Sequence, residues 1–208
     1  MRRVIVATGP AWTPIDGARR ITNFSTGETG TRLAEALLSG GADVLCLRGD
    51  GATFPAPAGV ECRSFSTNDS LMEIFRNEAP GADAIFLPAA LCDFEIERGE
   101  ETMQKIPSHT PSLVLHLRPA LKVLPQLREL FPQAFLAGWK YELDGLREDA
   151  LEQGRRQIER ADTNLCVVNG AAYGAGFGIL GREGDVVHCA DKEMLIRKLT
   201  QHFFRRLR

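Results

Sequence analysis

The chain has 208 residues, 44% hydrophobic and 25% charged, with a formal net charge of -2 at pH 7. That size suits one domain with a sizeable core, and the near-neutral balance excludes a general nucleic-acid or anionic-membrane surface. Five scattered cysteines (Cys46, Cys62, Cys92, Cys166, Cys189) form no CxxC pair and four histidines show no HxxxH or HExxH spacing, which argues against a disulfide framework or a zinc site.

No apolar run reaches the ~20 residues needed to span a bilayer. Met1 leads straight into "RRVIVAT" with no cleavage pattern after it, so a reduced cytoplasmic setting is expected. The basic end, "FFRRLR", reads as the solvated end of an amphipathic helix.

Residues 3–8, "RVIVAT", form a β-branched apolar run ending at Gly9-Pro10, which predicts a buried strand and then a loop reaching about Asn23. A helix is predicted over 26–39, stopped by Gly40-Gly41. Strands are predicted over 42–49 and 60–65, followed by a helix capped by Asn68 or Asp69. Another buried strand is expected over 82–90, then a polar stretch without period over 95–111 and the segment "SLVLHL" at 112–117. A helix over 120–130, a strand over 134–139, a helix over 144–161 and a strand over 164–169 come next. "GFGILG" and "DVVHCA" predict a hairpin, and the chain closes in a helix from about Asp191.

Strands alternating with helices of this length predict a parallel sheet covered on both faces. Polar residues cluster just after the strands, at Thr8-Gly9, 89–93, Trp139-Lys140 and Asn169-Gly170. Ligands of open α/β sheets bind outside the carboxyl ends of the strands, so these four sites are expected to converge.

The stretch "ITNFSTGETG" (21–30) has two physical readings. It can cradle a phosphate or carboxylate at a helix amino end, with Gly27 and Gly30 allowing close approach and Ser25 and Thr26 donating. Alternatively it is an ordinary N-cap on Ser25 or Thr26. Arg19 and Arg20 nearby can fork onto an anion or form a surface ion pair with Asp16 or Glu28. The first loop has Gly9 but no GxGxxG, and Pro10 removes a donor, which disfavours a nicotinamide dehydrogenase; GxxxxGK[ST] is absent too.

"PID" followed by "ITNFSTGETG" closely resembles the loop of the phosphopantothenate–cysteine ligase (phosphopantothenoylcysteine synthetase) family. Further segments match in order: "AALCD" (89–93), "KIPS" (105–108), "LKVLPQL" (121–127), "GWKYELD" (138–144) and "CVVNGAAYGAGFG". The resemblance covers nearly the whole chain and is strongest to the stand-alone, eukaryote-like members.

It implies one domain over 1–208, beginning at the ligase-like first strand with no fused decarboxylase. The implied fold class is α/β, a Rossmann-like three-layer αβα arrangement with a mainly parallel sheet, a flap at about 95–111 and a C-terminal hairpin. The implied enzyme is an ATP- or CTP-dependent ligase of coenzyme A synthesis. It would join 4′-phosphopantothenate to cysteine through an acyl-nucleotide, as a homodimer, with Mg2+ held mainly by nucleotide phosphates.

Asn23 then corresponds to a catalytic asparagine stabilising an oxyanion, and Lys105 to a flap lysine closing over two anions. Asp16, Arg19, Ser25, Thr26, Gly27, Gly30 and Ala90 correspond to the substrate side. Gly9, Ala89, Asp93, Lys122, Trp139, Lys140, Arg156, Arg160 and Asn169 correspond to the nucleotide side, with Asp93 at the ribose. Arg156 and Arg160, four apart on one helix face, can equally be a solvated basic face.

Departures from the family pattern are Gly9-Pro10-Ala11 for Gly-Gly-Thr, Pro107-Ser108 in the flap, Pro119 displaced from Lys122, and Gly170 for aspartate after Asn169. They leave open a relative that binds a nucleotide or acyl phosphate and has lost or changed the ligase activity.

Overall fold

The structure is a computed structural model that describes residues 2–97, 105–107, 109 and 112–205. Strand β1 (Arg3–Thr8) places Val4 and Val6 on one face and Ile5 and Ala7 on the other, all fully buried. A strand buried on both faces must sit centrally in a covered sheet. The chain continues through β2 (Trp12–Pro14), β3 (Arg20–Thr22), α1 (Glu28–Ser39), β4 (Asp43–Gly49), β5 (Glu61–Phe65), α2 (Asn68–Glu78) and β6 (Ala84–Phe86). It proceeds through β7 (Phe94–Ile96), β8 (Leu117–Pro119), α3 (Val123–Leu130), β9 (Phe135–Tyr141) and α4 (Arg147–Ala161). Strands β10 (Leu165–Asn169), β11 (Phe177–Gly181) and β12 (Val186–Cys189) and helix α5 (Lys192–Arg205) complete it.

The main sheet has eight strands in the order β12-β11-β10-β9-β6-β1-β4-β5. From β5 to β10 the pairing is parallel, with Val4 opposite both Val44 and Ala84. The expected hairpin, β11–β12, extends this sheet in antiparallel register. Helices α1 and α5 cover one face through Leu33, Leu37, Leu195, Leu199 and Phe203. Helices α2 and α3 cover the other through Leu71, Phe75, Val123 and Leu127, and α4 packs beside them on Cys166, Val168 and Leu180. This is the expected Rossmann-like three-layer arrangement. The chain builds outward from β1 to β5, then returns to lay β6 on the other side of β1. By the general rule for open α/β sheets, the ligand crevice is expected at that reversal, outside the carboxyl ends of β1 and β6.

Several boundaries differ from expectation for local reasons. The loop after β1 contains an antiparallel hairpin, β2–β3, with Thr13 opposite Ile21. The strand expected over 82–90 ends at Phe86, two residues before Pro88, which lacks the N–H a ladder needs. Residues 117–119 pair with 94–96 in a separate two-stranded unit. Thr67, not Asn68 or Asp69, caps α2: its side chain accepts from the Ser70 N–H and the Ser70 hydroxyl accepts in return from the Thr67 N–H. Helix α4 begins three residues later than expected, where the Asp149 carboxylate accepts from the Leu146 N–H at 2.8 Å. Of the flap, residues 98–104, 108, 110 and 111 lie outside the described residues. No helix among the described residues is long and apolar enough to cross a membrane.

Helix α1 lies unusually close to the end of β1. A Cβ at Gly30 would sit 2.4 Å from Thr8 Cβ and Oγ1 and 2.9 Å from Pro88. Gly30→Ala should therefore destabilise the fold by about 1–3 kcal/mol through overpacking, outweighing the roughly 1 kcal/mol gained in helix propensity. Chemical denaturation checks this: an unchanged or raised midpoint would show that Thr8 and Pro88 can yield.

Candidate functional site

The floor of the crevice is made of peptide groups. Ala90 N–H donates to the Gly9 carbonyl and Ala11 N–H donates to the Ala90 carbonyl, each at 3.0 Å, forming a parallel bridge of Pro10 to Ala90. The bridge uses the N–H of residue 11 and the carbonyl of residue 9, so proline at position 10 leaves it intact. Gly9 has φ 83, which only glycine adopts without strain. A Cβ there would meet Ala52 at 2.8 Å.

Beside this floor stands the amino end of α1. Its cap is Gly27, left-handed at φ 83, and no side chain caps the helix. The alternative reading, an N-cap on Ser25 or Thr26, is therefore not the one observed, because the cap position is a glycine with no side-chain acceptor. Thr26 Oγ1 accepts only from the Glu28 N–H, at 3.3 Å. The Thr8 hydroxyl donates to the Gly27 carbonyl at 2.9 Å, fixing the turn against β1. The close approach at Gly30 is made by Thr8 and Pro88, so that glycine serves packing. Glu28 in the first turn is bound by Arg32 and Lys192, which offset its charge there.

Hairpin β2–β3 leads back to Asn23. The Asn23 amide is exposed and donates one N–H to the Leu91 carbonyl at 2.7 Å. This ties Asn23 to the loop that carries Ala89, Ala90 and Asp93. Asp93 in turn pairs with Lys122, just before α3. At the turn of the hairpin, the Asp16 side chain is 1% exposed. It accepts from the Ala18 and Arg19 N–H groups at 2.8 Å, from Ile106 N–H at 3.0 Å, and from the Arg19 guanidinium. Arg19 also donates to the Ile106 carbonyl at 2.6 Å. Lys105, adjacent to this tether, is exposed. Asp16 thus holds Ile106, within the segment expected to be a flap, and its carboxylate is almost fully buried, while Arg19 is in the ion pair with Asp16 that was one of its two readings.

On the far side of β6, Trp139 and Lys140 end β9 opposite Val167 and Val168, with Asn169 opposite Tyr141. Trp139 is half-buried against the core. Lys140 pairs with Glu142 at 3.0 Å, and Glu142 N–H donates to the Asn169 carbonyl at 2.9 Å. The following loop is held by Tyr173, whose hydroxyl meets Arg147 at 2.6 Å and His188 Nδ1 at 3.1 Å.

Two residues expected on the nucleotide side lie well along α4 from the carboxyl edge of the sheet. Helix α4 starts at the carboxyl edge of the sheet and runs toward the edge where β10 begins. At 1.5 Å per residue, Arg160 lies about 20 Å and Arg156 about 13 Å along the helix from Arg147. Arg156 pairs with Glu152 at 3.2 Å. Both side chains are exposed, which accords with the solvated basic face that was one of their two readings.

Sequence reasoning missed three features. Asn68 is 5% exposed and bonds to the Cys92 N–H, the Cys92 carbonyl and the Leu121 carbonyl. Its signal was an asparagine already relieved of capping by Thr67. Trp12 Nε1 donates to Asp50 at 2.7 Å, with Arg20 stacked 5.4 Å above the indole. Phe24, next to Asn23, projects fully into solvent. Among the described residues no group of three or more His, Cys, Asp or Glu side chains could hold a metal ion.

The Arg19 guanidinium, then the backbone donors of Ala18, Ile106 and Arg19, hold the Asp16 carboxyl well below the ordinary carboxylate range against the opposing effect of burial. A lowered value means the tether is fully present above about pH 4 and is lost only as pH falls through that lowered value. Amide exchange at Ile106, corrected for intrinsic rate, should stay slow from neutrality to about pH 4 and rise below it. Asp16→Asn should expose the same amide at neutral pH; equal protection in both proteins would show that the tether does not depend on charge.

The profile of the DNA/pantothenate metabolism flavoprotein C-terminal domain matches residues 1–202. The chain is 35% identical over 171 residues to the coenzyme A biosynthesis bifunctional protein CoaBC of Thermococcus kodakarensis, a match covering 81% of this chain and 41% of that protein. It spans under half the length of the curated CoaBC proteins it matches. Its fold is similar to that of the DNA/pantothenate metabolism flavoprotein from Streptococcus pneumoniae, with a TM-score of 0.86, 19% identity and 99% of each chain covered. It is also similar to a Cab2 mutant in complex with phosphopantothenate-cysteine, with a TM-score of 0.78, 20% identity, and 99% of this chain and 87% of that chain covered. A match running from the first strand to the last helix places the chain in a family: it belongs to the DNA/pantothenate metabolism flavoprotein C-terminal domain family.

Proposed function

We propose that this chain joins 4′-phosphopantothenate to cysteine, using ATP or CTP, in coenzyme A biosynthesis. The observation that carries the reading is the placement of Asn23: its amide is fixed to Leu91, in the loop that forms the crevice floor, and the same chain segment runs on into the uncapped start of α1. Family membership and the ligand of the similar Cab2 structure support the substrate class.

In the first half-reaction the phosphopantothenate carboxylate attacks the α-phosphorus of the nucleotide and pyrophosphate leaves. In the second, the cysteine amine attacks the acyl carbon, loses a proton, and nucleoside monophosphate leaves. The backbone N–H groups at the start of α1 and the glycines Gly9 and Gly27 suit phosphate oxygens. Ser25 and Thr26 flank the same turn, and Ala89 and Ala90 keep the opposite wall small. Lys105 brings a cation over two anions that otherwise repel, favouring the first step. Lys122 can exchange Asp93 for a phosphate, freeing the Asp93 carboxylate to accept from ribose hydroxyls. Trp139, Lys140 and Asn169 complete the nucleotide side.

An amide nitrogen has two donors, and Asn23 commits one to Leu91. The second can donate to the acyl oxygen as charge builds during amine attack. Mg2+ would neutralise the nucleotide phosphates, held by their oxygens and water. The reading includes a homodimer working in the cytoplasm.

Pyrophosphate release measured with each of four nucleoside triphosphates should require phosphopantothenate, and condensed product should require cysteine as well. Asn23→Ala should retain the first step, accumulate the acyl-nucleotide, and lower overall kcat by about 10²–10³-fold. Turnover like that of the unaltered protein would remove Asn23 from the chemistry; no substrate-dependent pyrophosphate with any nucleotide would remove the ligase. Lys105→Gln should instead slow pyrophosphate release itself, read by single-turnover kinetics.

A further inference from the structure

We infer that Asn68 is a positioning residue that sets the spacing of Asp93 and Lys122 and so tunes nucleotide affinity, an inference that rests on the nucleotide reading of those two residues. Asn68 is the first residue of α2, yet the helix is capped by the Thr67–Ser70 pair, which leaves the Asn68 side chain free for other bonds. It is buried, and both donors and the acceptor oxygen of its amide are used. Oδ1 accepts from the Cys92 N–H at 3.1 Å, while Nδ2 donates to the Cys92 carbonyl and to the Leu121 carbonyl, both at 2.8 Å.

Cys92 and Leu121 directly precede Asp93 and Lys122, which form an ion pair with each other. One side chain therefore joins two loops that are distant in sequence, at the residue before each charged group. On this side the loops border a cavity of about 250 Å³ lined by residues including Trp12, Asn68, Cys92 and Arg118, where close packing gives little support. Hydrogen bonds to a rigid helix end supply the missing constraint. Asp93 and Lys122 are both exposed, so without that constraint their separation would fluctuate with the loops.

The test compares Asn68→Ala with Thr67→Ala, which removes the cap of the same helix and leaves the Asn68 amide in place. Calorimetric titration with Mg-ATP and Mg-CTP should show affinity for the accepted nucleotide weakened about tenfold or more in Asn68→Ala, the equivalent of one lost buried hydrogen bond. Thr67→Ala should lose thermal stability with nucleotide affinity unchanged. Asn68→Asp adds a pH readout. Its carboxylate faces two carbonyl oxygens, so affinity relative to the unaltered protein should recover as pH falls and the acid form regains a donor. Should Asn68→Ala fail to fold, Asn68→Ser, which keeps one hydrogen-bonding atom, takes its place. Unchanged affinity in the Asn68 variants, or equal losses in Thr67→Ala, would overturn the positioning role alone. Failure of the unaltered protein to bind either nucleotide would overturn the parent reading, and this inference with it.

Discussion

A carboxylate removed from water must be fully paired, and Asp16 organises the upper part of this molecule by meeting that requirement. Three backbone N–H groups and one guanidinium surround it, drawn from its own turn and from a segment 90 residues later. An unpaired buried carboxylate would be prohibitively costly, so the turn, the guanidinium and the backbone at Ile106 must assemble together. The root of the same hairpin is held by the Asn23 amide on Leu91. The hairpin is thus fixed at both ends, and Asn23 sits on a braced support rather than a free loop.

The layers of the fold were legible because they follow from hydrophobic period. Runs such as "RVIVAT" and "NLCVVN" can only be strands buried on both faces, and the helices between them leave little choice but a parallel sheet. Convergence of the loops after β1, β6, β9 and β10 followed from the same topology. Short elements made by pairing were not legible. Strands of three residues, such as β2, β3, β7 and β8, have no periodicity to detect and exist because a partner is opposite them.

The site residues divide along similar lines. Asn23, Asp93 and Lys122 were singled out by the family resemblance of the segments that hold them; only Asp93 also falls in a polar cluster after a strand. The two readings of Arg156 and Arg160 could not be separated in the sequence, because helical spacing reveals a shared face but not how far along the sheet that face lies. The packing role of Gly30 was not legible, because an approaching ligand and an approaching threonine require the same missing side chain. Asn68 escaped notice because its three partners are backbone groups at residues 92 and 121, and no pattern of residue types predicts bonds to peptide groups.

The bridge between Pro10 and Ala90 has a further implication for divergence. Its geometry is specified by main-chain atoms common to every amino acid except at the glycine that must turn left-handed. Mutational drift along this seam is therefore nearly invisible to the architecture, provided that residue 9 stays small and residues 11 and 90 retain their amide hydrogens. Such a seam lets lineages rewrite their binding loop while inheriting an unaltered scaffold, which accords with near-complete superposition on chains that share only about a fifth of their residues.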